Sequence, residues 1–111
     1  MSITVEAFPL VLSADEVRLQ FDTLAAEWRK QVKFLSNLRQ AVMFDSYQRI
    51  IGLGRPVVPV LLEELKRQPD WWFCALRAIT GENPAPADAA GSLPKLAAAW
   101  VEWGRRRGLC E

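Results

Sequence analysis

Residues 46–81 constrain the fold most, because signals that end and begin helices alternate there within a mostly apolar stretch. Two glycines, Gly52 and Gly54, follow a short apolar segment and are typical of a helix C-terminus, where a positive φ is often needed. Pro56 then suits a first helical turn, which needs no amide donor at that place. The pattern predicts a short helix followed by an antiparallel helical hairpin over residues 56–81.

The first helix of this hairpin is amphipathic. Its apolar side holds Val58, Leu61, Leu62 and Leu65, and its charged side holds Glu63, Glu64 and Arg67. Val60 falls on the charged side. We therefore expect the apolar side to be core and the carboxylates to be solvated.

The second helix follows a compact turn in which Asp70 is the predicted N-cap. From Trp71 to Thr80 it is apolar on nearly every side, so we expect it to be buried between neighbours. Its one charge is Arg77, for which two interpretations stand. The guanidinium either pairs with a buried carboxylate, such as Asp45 or Glu82, or ends in a groove that faces a partner.

A long helix is predicted before the hairpin. Ser13 and Glu16 have the spacing of a capping box, and an apolar stripe follows them at Val17, Phe21, Leu24, Trp28, Val32 and Leu35. Ser36-Asn37 then either breaks this helix or lies within one bent helix, and Asp45-Ser46 is the next predicted cap. Residues 1–12 are predicted to be an extended arm with the apolar residues Phe8 and Leu10, leaving 13–111 as one helical domain.

A further helix is predicted near the end of the chain, after a loop rich in proline and alanine. Ser92 is its predicted cap, and one side carries Leu93, Leu96, Trp100, Trp103 and Arg107. The fold class is therefore all-α with about five helices. In it, the hairpin packs between a long N-terminal helix and a C-terminal helix that bears tryptophans.

The hairpin resembles a HEAT-like (armadillo/HEAT-type) repeat unit. The resemblance lies in Leu53-Gly54, in the run Val58-Pro59-Val60-Leu61-Leu62, and in the run Ala75-Leu76-Arg77-Ala78-Ile79-Thr80-Gly81. The segment Ala99-Trp100-Val101-Glu102-Trp103 looks like the capping helix of some bacterial arrays of this kind, and residues 46–107 are similar to short bacterial proteins of unknown function. The resemblance implies a binding surface without shared catalytic residues. Since one clear unit is present and an array needs about three, it also implies a partner.

Positive charge is unevenly placed although the net charge is only +1. The basic residues of interest are Arg29, Lys30, Lys33, Arg39, Arg49 and Arg55, with Arg105, Arg106 and Arg107 near the C-terminus. They form either a nucleic-acid-binding patch or the solvated sides of helices. No helix-turn-helix, RNP or zinc-finger signature accompanies them, which disfavours the first interpretation.

Several chemistries are disfavoured by composition. The chain has no histidine, so the usual general base and the commonest metal ligand are absent. Its two cysteines do not suggest a disulfide framework, and Cys74 is predicted to be a buried structural thiol. We expect no metal, no cofactor and no membrane association, and a cytoplasmic protein.

These observations favour a non-catalytic protein–protein interaction module, for example a small bacterial accessory or antitoxin-like protein. Its partner would be another protein or a second copy of itself. The candidate partner-binding residues are Phe8, Leu10, Val60, Trp71 and Arg77. The alternative is a nucleic-acid-associated protein that uses the basic residues of 29–55 and the C-terminal arginines.

Overall fold

The computed structural model describes residues 12–111, and this part of the chain contains six α-helices and no strand. The helices are α1 (Ala14–Val32), α2 (Leu38–Ala41), α3 (Asp45–Gly52), α4 (Val58–Arg67), α5 (Phe73–Thr80) and α6 (Leu93–Arg106), with short 3₁₀ turns at Arg55–Val57 and Ala87–Ala89. The all-α prediction is confirmed. Phe8 and Leu10, and the rest of the predicted arm up to residue 11, lie outside the described residues.

The capping box of α1 forms as predicted. The Glu16 amide donates to Ser13 Oγ at 3.1 Å, and the Ser13 amide donates to Glu16 Oε1 at 2.8 Å. The helix ends at Val32, however, and not at Leu35, which is exposed. Asn37 begins a separate helix, since its Oδ1 accepts the Gln40 amide at 3.3 Å. Of the two alternatives that the sequence leaves open here, the structure has two separate helices.

The predicted Asp45-Ser46 cap is wrong. Helix α3 begins at Asp45 itself, and no side chain caps it. Ser46 lies inside the helix, is buried, and donates from its Oγ to Gln31 Oε1 at 2.6 Å. Its hydroxyl therefore joins α3 to α1, which a local capping pattern does not indicate.

The core is built around the Trp72 ring, which is fully buried between three aromatic neighbours. Its centroid lies 5.2 Å from that of Phe21, 4.8 Å from that of Trp28 and 5.6 Å from that of Tyr47. Trp28 also donates its Nε1–H to the Ala41 carbonyl at 2.7 Å, which holds α2 against α1. These contacts join α1, α3 and the start of α5 into one layer.

The second layer is formed by α4 and α6. Leu61 and Leu62 are fully buried on α4, and Trp100 is fully buried on α6. Gly104 is where the two helices approach closely, because a Cβ at this position would overlap the Leu62 side chain. The helices of the predicted hairpin thus have different main neighbours: α4 packs on α6, and α5 packs on α3.

Helix α5 differs from the prediction at its N-terminus and agrees with it at its C-terminus. The helix begins at Phe73 and not at Trp71, and Asp70 is not its cap; the Asp70 carboxylate accepts the Trp71 amide within the preceding turn. Gly81 ends the helix with a φ of 73°, as predicted. No helix within residues 12–111 is long and apolar enough to cross a membrane.

Candidate docking groove

Four adjoining cavities form one groove along the surface of α2, the turn before α5, and α5 itself. We number them from the α2 end to the C-terminal end of α5. The first and second cavities share Leu35, and the second and third share Leu38 and Trp71. The third and fourth share Cys74, Arg77 and Asn83. Because neighbouring cavities share lining residues, they adjoin one another along the same face. We call this surface the Trp71 groove.

The end of the groove at α2 exposes large apolar side chains. Met43 is 68% exposed, and Leu35 and Leu38 are 40% and 37% exposed. Phe34, which precedes Leu35, is 92% exposed. Among the described residues, the other large apolar side chain exposed to this degree is Leu19 on α1, which lines none of the four cavities. Phe34 lines none of the cavities either, so three of these five exposed side chains, Leu35, Leu38 and Met43, belong to the groove.

One cavity of the groove has several aromatic side chains in its walls and lies between α5, the loop before α6, and α6. It has a volume of about 320 Å³, and its walls include Trp71, Phe73 and Trp100. A second cavity of about 230 Å³ lies on the other side of the Trp71 ring, towards α1 and α2. The Trp71 side chain, which is half-buried, is therefore the wall that separates the two.

The backbone of Trp71 is held in place by two neighbouring side chains. Asp70 Oδ1 accepts the Trp71 amide at 2.7 Å, and the Tyr47 hydroxyl donates to the Trp71 carbonyl at 2.9 Å. The same hydroxyl accepts the Ala75 amide at 3.0 Å. Burial raises the pKa of Tyr47 far above its ordinary value, so the phenol stays protonated and can donate. Hydrogen bonds from the buried Tyr47 hydroxyl and to the Asp70 carboxylate thus fix the backbone of the residue that forms the groove wall.

A buried carboxylate lies behind this support, which corrects the prediction that Glu64 faces solvent. Glu64 is 1% exposed. Its Oε2 accepts hydrogen bonds from Arg67 and, at 3.1 Å, from Arg18 Nη2, and its Oε1 lies 3.6 Å from Arg29 Nη2. Three guanidinium groups supply the compensation that a buried charge needs.

Arg29 extends this cluster to the groove. Its Nε lies 3.8 Å from Asp70 Oδ2, and Asp70 in turn accepts the Trp71 amide. Its guanidinium also lies 5.8 Å from the centroid of the Trp72 ring. Sequence reasoning missed the cluster because its members come from α1, α4 and the turn before α5, which only the folded chain brings together.

One of the two interpretations of Arg77, its pairing with a carboxylate, can be compared with the structure. The residue is exposed, and within the described part of the chain its guanidinium has no ion-pair partner. Glu82, one of the two predicted partners, lies 3.9 Å from Arg107 instead. The predicted pairing with Asp45 or Glu82 is therefore wrong, because α5 turns this face outwards. Arg77 lines two cavities of the groove.

Cys74 is also placed differently from the prediction. It is partly exposed and lines the same two cavities as Arg77, so it is not a fully buried thiol. Residues 12–111 contain no group of three His, Cys, Asp or Glu side chains arranged to hold a metal ion. Arg77 and Asn83 line both of these cavities, and Glu82, which lies 3.9 Å from Arg107, lines one of them.

The basic residues differ in whether they have ion-pair partners. Arg29 belongs to the Glu64 cluster, Arg105 and Arg106 contact Glu102, and Arg107 contacts Glu82 and lies 4.6 Å from the centroid of the Trp103 ring. Five basic side chains have no ion-pair partner within residues 12–111: Lys30, Lys33, Arg39, Arg49 and Arg55. Val60 is half-buried on α4, packs against the core, and does not line the groove.

Of the predicted partner-binding residues, the groove therefore brings together Trp71 and Arg77. Sequence reasoning missed Leu38, Met43 and Cys74, which line it as well. One signal was available: Leu38 and Met43 follow the break at Ser36-Asn37, on a segment too short to bury a continuous apolar stripe. No family model, curated protein or solved structure matches the chain.

Proposed function

We propose that the chain is a non-catalytic protein–protein interaction module that binds a segment of a partner protein in the Trp71 groove. The observation that carries the proposal is that three of the five exposed large apolar side chains among the described residues line a row of adjoining cavities, two of which share the Trp71 wall. Aromatic anchors surrounded by charge are typical of binding hot spots. Large exposed apolar patches on a small protein commonly mark interaction sites.

The charges around the groove define the chemistry of the partner segment. Arg77 lines the α5 end, and Lys33 and Arg39 are close in sequence to Leu35 and Leu38 at the α2 end; within the described residues none of the three cations has an ion-pair partner. The two carboxylates that line the groove, Asp70 and Glu82, each lie within 4 Å of an arginine. The uncompensated charge is positive, so the fitting partner is an amphipathic segment that carries apolar anchors and Asp or Glu residues.

The non-catalytic part of the proposal is supported by the side chains near the thiol. Cys74 is the nucleophile that the groove offers, and a cysteine nucleophile needs an adjacent base or an electropositive setting to form its thiolate. Arg77 supplies charge, and the one carboxylate that lines these two cavities, Glu82, lies 3.9 Å from Arg107. A binding role needs neither a base nor a thiolate.

Binding can be tested without knowing the natural partner, by selection from a random library of displayed twelve-residue peptides. We expect the enriched peptides to combine aromatic or aliphatic residues with Asp or Glu. Their affinity should fall about tenfold or more in Met43→Glu, which removes an apolar contact and adds a like charge. Fluorescence anisotropy of the labelled peptides measures the affinity.

Leu19→Glu is the matched control. Leu19 is 67% exposed, close to the 68% of Met43, and it receives the same change of charge, but it lies outside the groove. The affinity of Leu19→Glu for the selected peptides should stay within about twofold of that of the unchanged protein. Equal losses in both variants, enrichment of basic peptides, or no enrichment at all would contradict the proposal.

The finer interpretations stay part of this proposal. A HEAT-like unit is supported by the short connection between α4 and α5 and by the packing of α6 on α4. A cytoplasmic, bacterial accessory or antitoxin-like role is consistent with a small binding module. A second copy of the chain would be an alternative occupant of the groove, and sedimentation of the purified protein would detect it as a dimer.

Nucleic-acid binding is the second candidate, favoured by the five unpaired basic side chains between Lys30 and Arg55. Phosphate contacts produce an affinity that falls steeply as salt concentration rises. Anisotropy of labelled single-stranded and duplex oligonucleotides at low salt tests it directly. No binding there would eliminate this function and leave the peptide proposal intact.

A further inference from the structure

The aromatic cavity at the α5 end of the groove has the form of a binding site for a small molecule. Its volume of about 320 Å³ lies at the lower end of the range typical of ligand pockets. The half-buried Trp71 presents aromatic surface, the buried rings of Phe73 and Trp100 lie behind the cavity wall, and Leu96 and the loop residue Pro86 add aliphatic surface. Such walls suit a flat or branched apolar group of a few carbon atoms.

The polar lining of this cavity is small and has one sign of charge. It consists of Cys74, Arg77 and Asn83. No carboxylate lines it, and Glu82, which borders the adjoining cavity, lies next to Arg107. Arg77 is therefore a cation without compensation from the described residues, beside an apolar concavity in which a charge-assisted hydrogen bond is stronger than in bulk water.

We propose that this cavity is a binding site for an apolar group that carries a carboxylate, with the apolar part between the aromatic walls and the carboxylate on Arg77. The guanidinium is suited to this task because it can donate two parallel hydrogen bonds to a carboxylate. The Asn83 amide stands on the loop side of the same cavity and offers a further donor. The inference goes beyond the proposed function, since it requires no protein partner.

Two sources supply this chemistry: a free aryl or alkyl carboxylic acid, and a peptide with an acidic residue beside an apolar one. The first arm of the test titrates the protein with 3-phenylpropionate and, as a neutral match, with 3-phenylpropionamide. The second arm uses acetyl-Phe-Glu-amide and acetyl-Phe-Gln-amide. Amide shifts in ¹H–¹⁵N spectra measure the dissociation constants, which for such small probes fall in roughly the millimolar range.

We expect the acid of a pair to bind about tenfold more tightly than its neutral match, and Arg77→Gln to abolish that difference. Arg49→Gln is the matched control, because Arg49 is also exposed but does not line this cavity; it should leave the difference unchanged. Preference for the free acid identifies a small molecule as the ligand, and preference for the dipeptide alone identifies a peptide. Both outcomes support the site.

The proposal is overturned if acid and amide bind equally in both arms, if neither binds, or if Arg49→Gln has the same effect as Arg77→Gln. Failure here is distinguishable from failure of the proposed function. Met43 lines the groove at its opposite end and does not line this cavity, so the Met43→Glu test reports on peptide docking separately.

Discussion

Glu64 offers the sharpest test of how the fold supports the groove. Glu64→Gln keeps the size of the side chain but removes the negative charge that three arginines share. The buried carboxylate has Arg18 Nη2 at 3.1 Å and Arg29 Nη2 at 3.6 Å, and it accepts a further hydrogen bond from Arg67. We expect a substantial loss of stability with the overall fold retained.

The magnitude follows from the exposure of the partners. Removal of one member of a fully buried ion pair costs about 3–5 kcal/mol, because the other charge is left buried without a partner. Here the side chains of Arg18, Arg29 and Arg67 are 34%, 39% and 67% exposed, so water can solvate part of each guanidinium. The expected loss in free energy of unfolding is therefore smaller, about 2–3 kcal/mol.

Urea unfolding measures this loss, and the neighbouring residue supplies a matched control. Glu63 is half-exposed and pairs with Lys66 at 3.6 Å, so Glu63→Gln makes the same chemical change at a solvated site. It should cost less than about 0.5 kcal/mol. A loss below about 1 kcal/mol in Glu64→Gln, or one no larger than that of the control, would refute the assignment of the cluster as a stabilising element.

Two further predictions concern the core. Burial raises the pKa of Tyr47, so the phenol stays protonated in the folded chain, whereas in the unfolded chain it ionises above about pH 10. The stabilisation from this residue is therefore present below that pH and is lost as the pH rises beyond it. The free energy of unfolding should therefore fall between about pH 9 and 11, and it should fall less in Tyr47→Phe. An equal dependence of the free energy of unfolding on pH in the variant would contradict the role of burial. Gly104→Ala should destabilise by about 1–3 kcal/mol, because the new Cβ would overlap Leu62 and approach Cys110 Sγ at 3.2 Å. A neutral result in thermal unfolding would mean that α4 and α6 are not packed this closely.

Most of the helical architecture could be predicted from local signals. The capping box at Ser13 and the glycine at position 81 act on their own neighbours in sequence, and both form as expected. The helix ends that were misplaced, at Val32 and Phe73, lie where apolar residues continue past the true end. Periodicity alone does not mark such an end, since an apolar side chain beyond it continues the same pattern.

The candidate site was harder to predict because long-range packing decides it. Glu64 sits beside Glu63 in sequence, and helical spacing turns adjacent residues about 100° apart, yet only the approach of α1 makes one of them buried. Arg77 is conspicuous in sequence as the one charge on an apolar helix, but which face of α5 stays open depends on the packing of α3. The groove joins α2, α5 and α6, and no segment of sequence contains all three.

The central claim is that the Trp71 groove binds an acidic, apolar segment of a partner, and one comparison tests it most directly. Peptides selected from the random library are measured against Met43→Glu and Leu19→Glu side by side. A loss of about tenfold or more in the first variant, with less than about twofold in the second, is the result that the structure predicts. Equal affinity for both variants would contradict the claim.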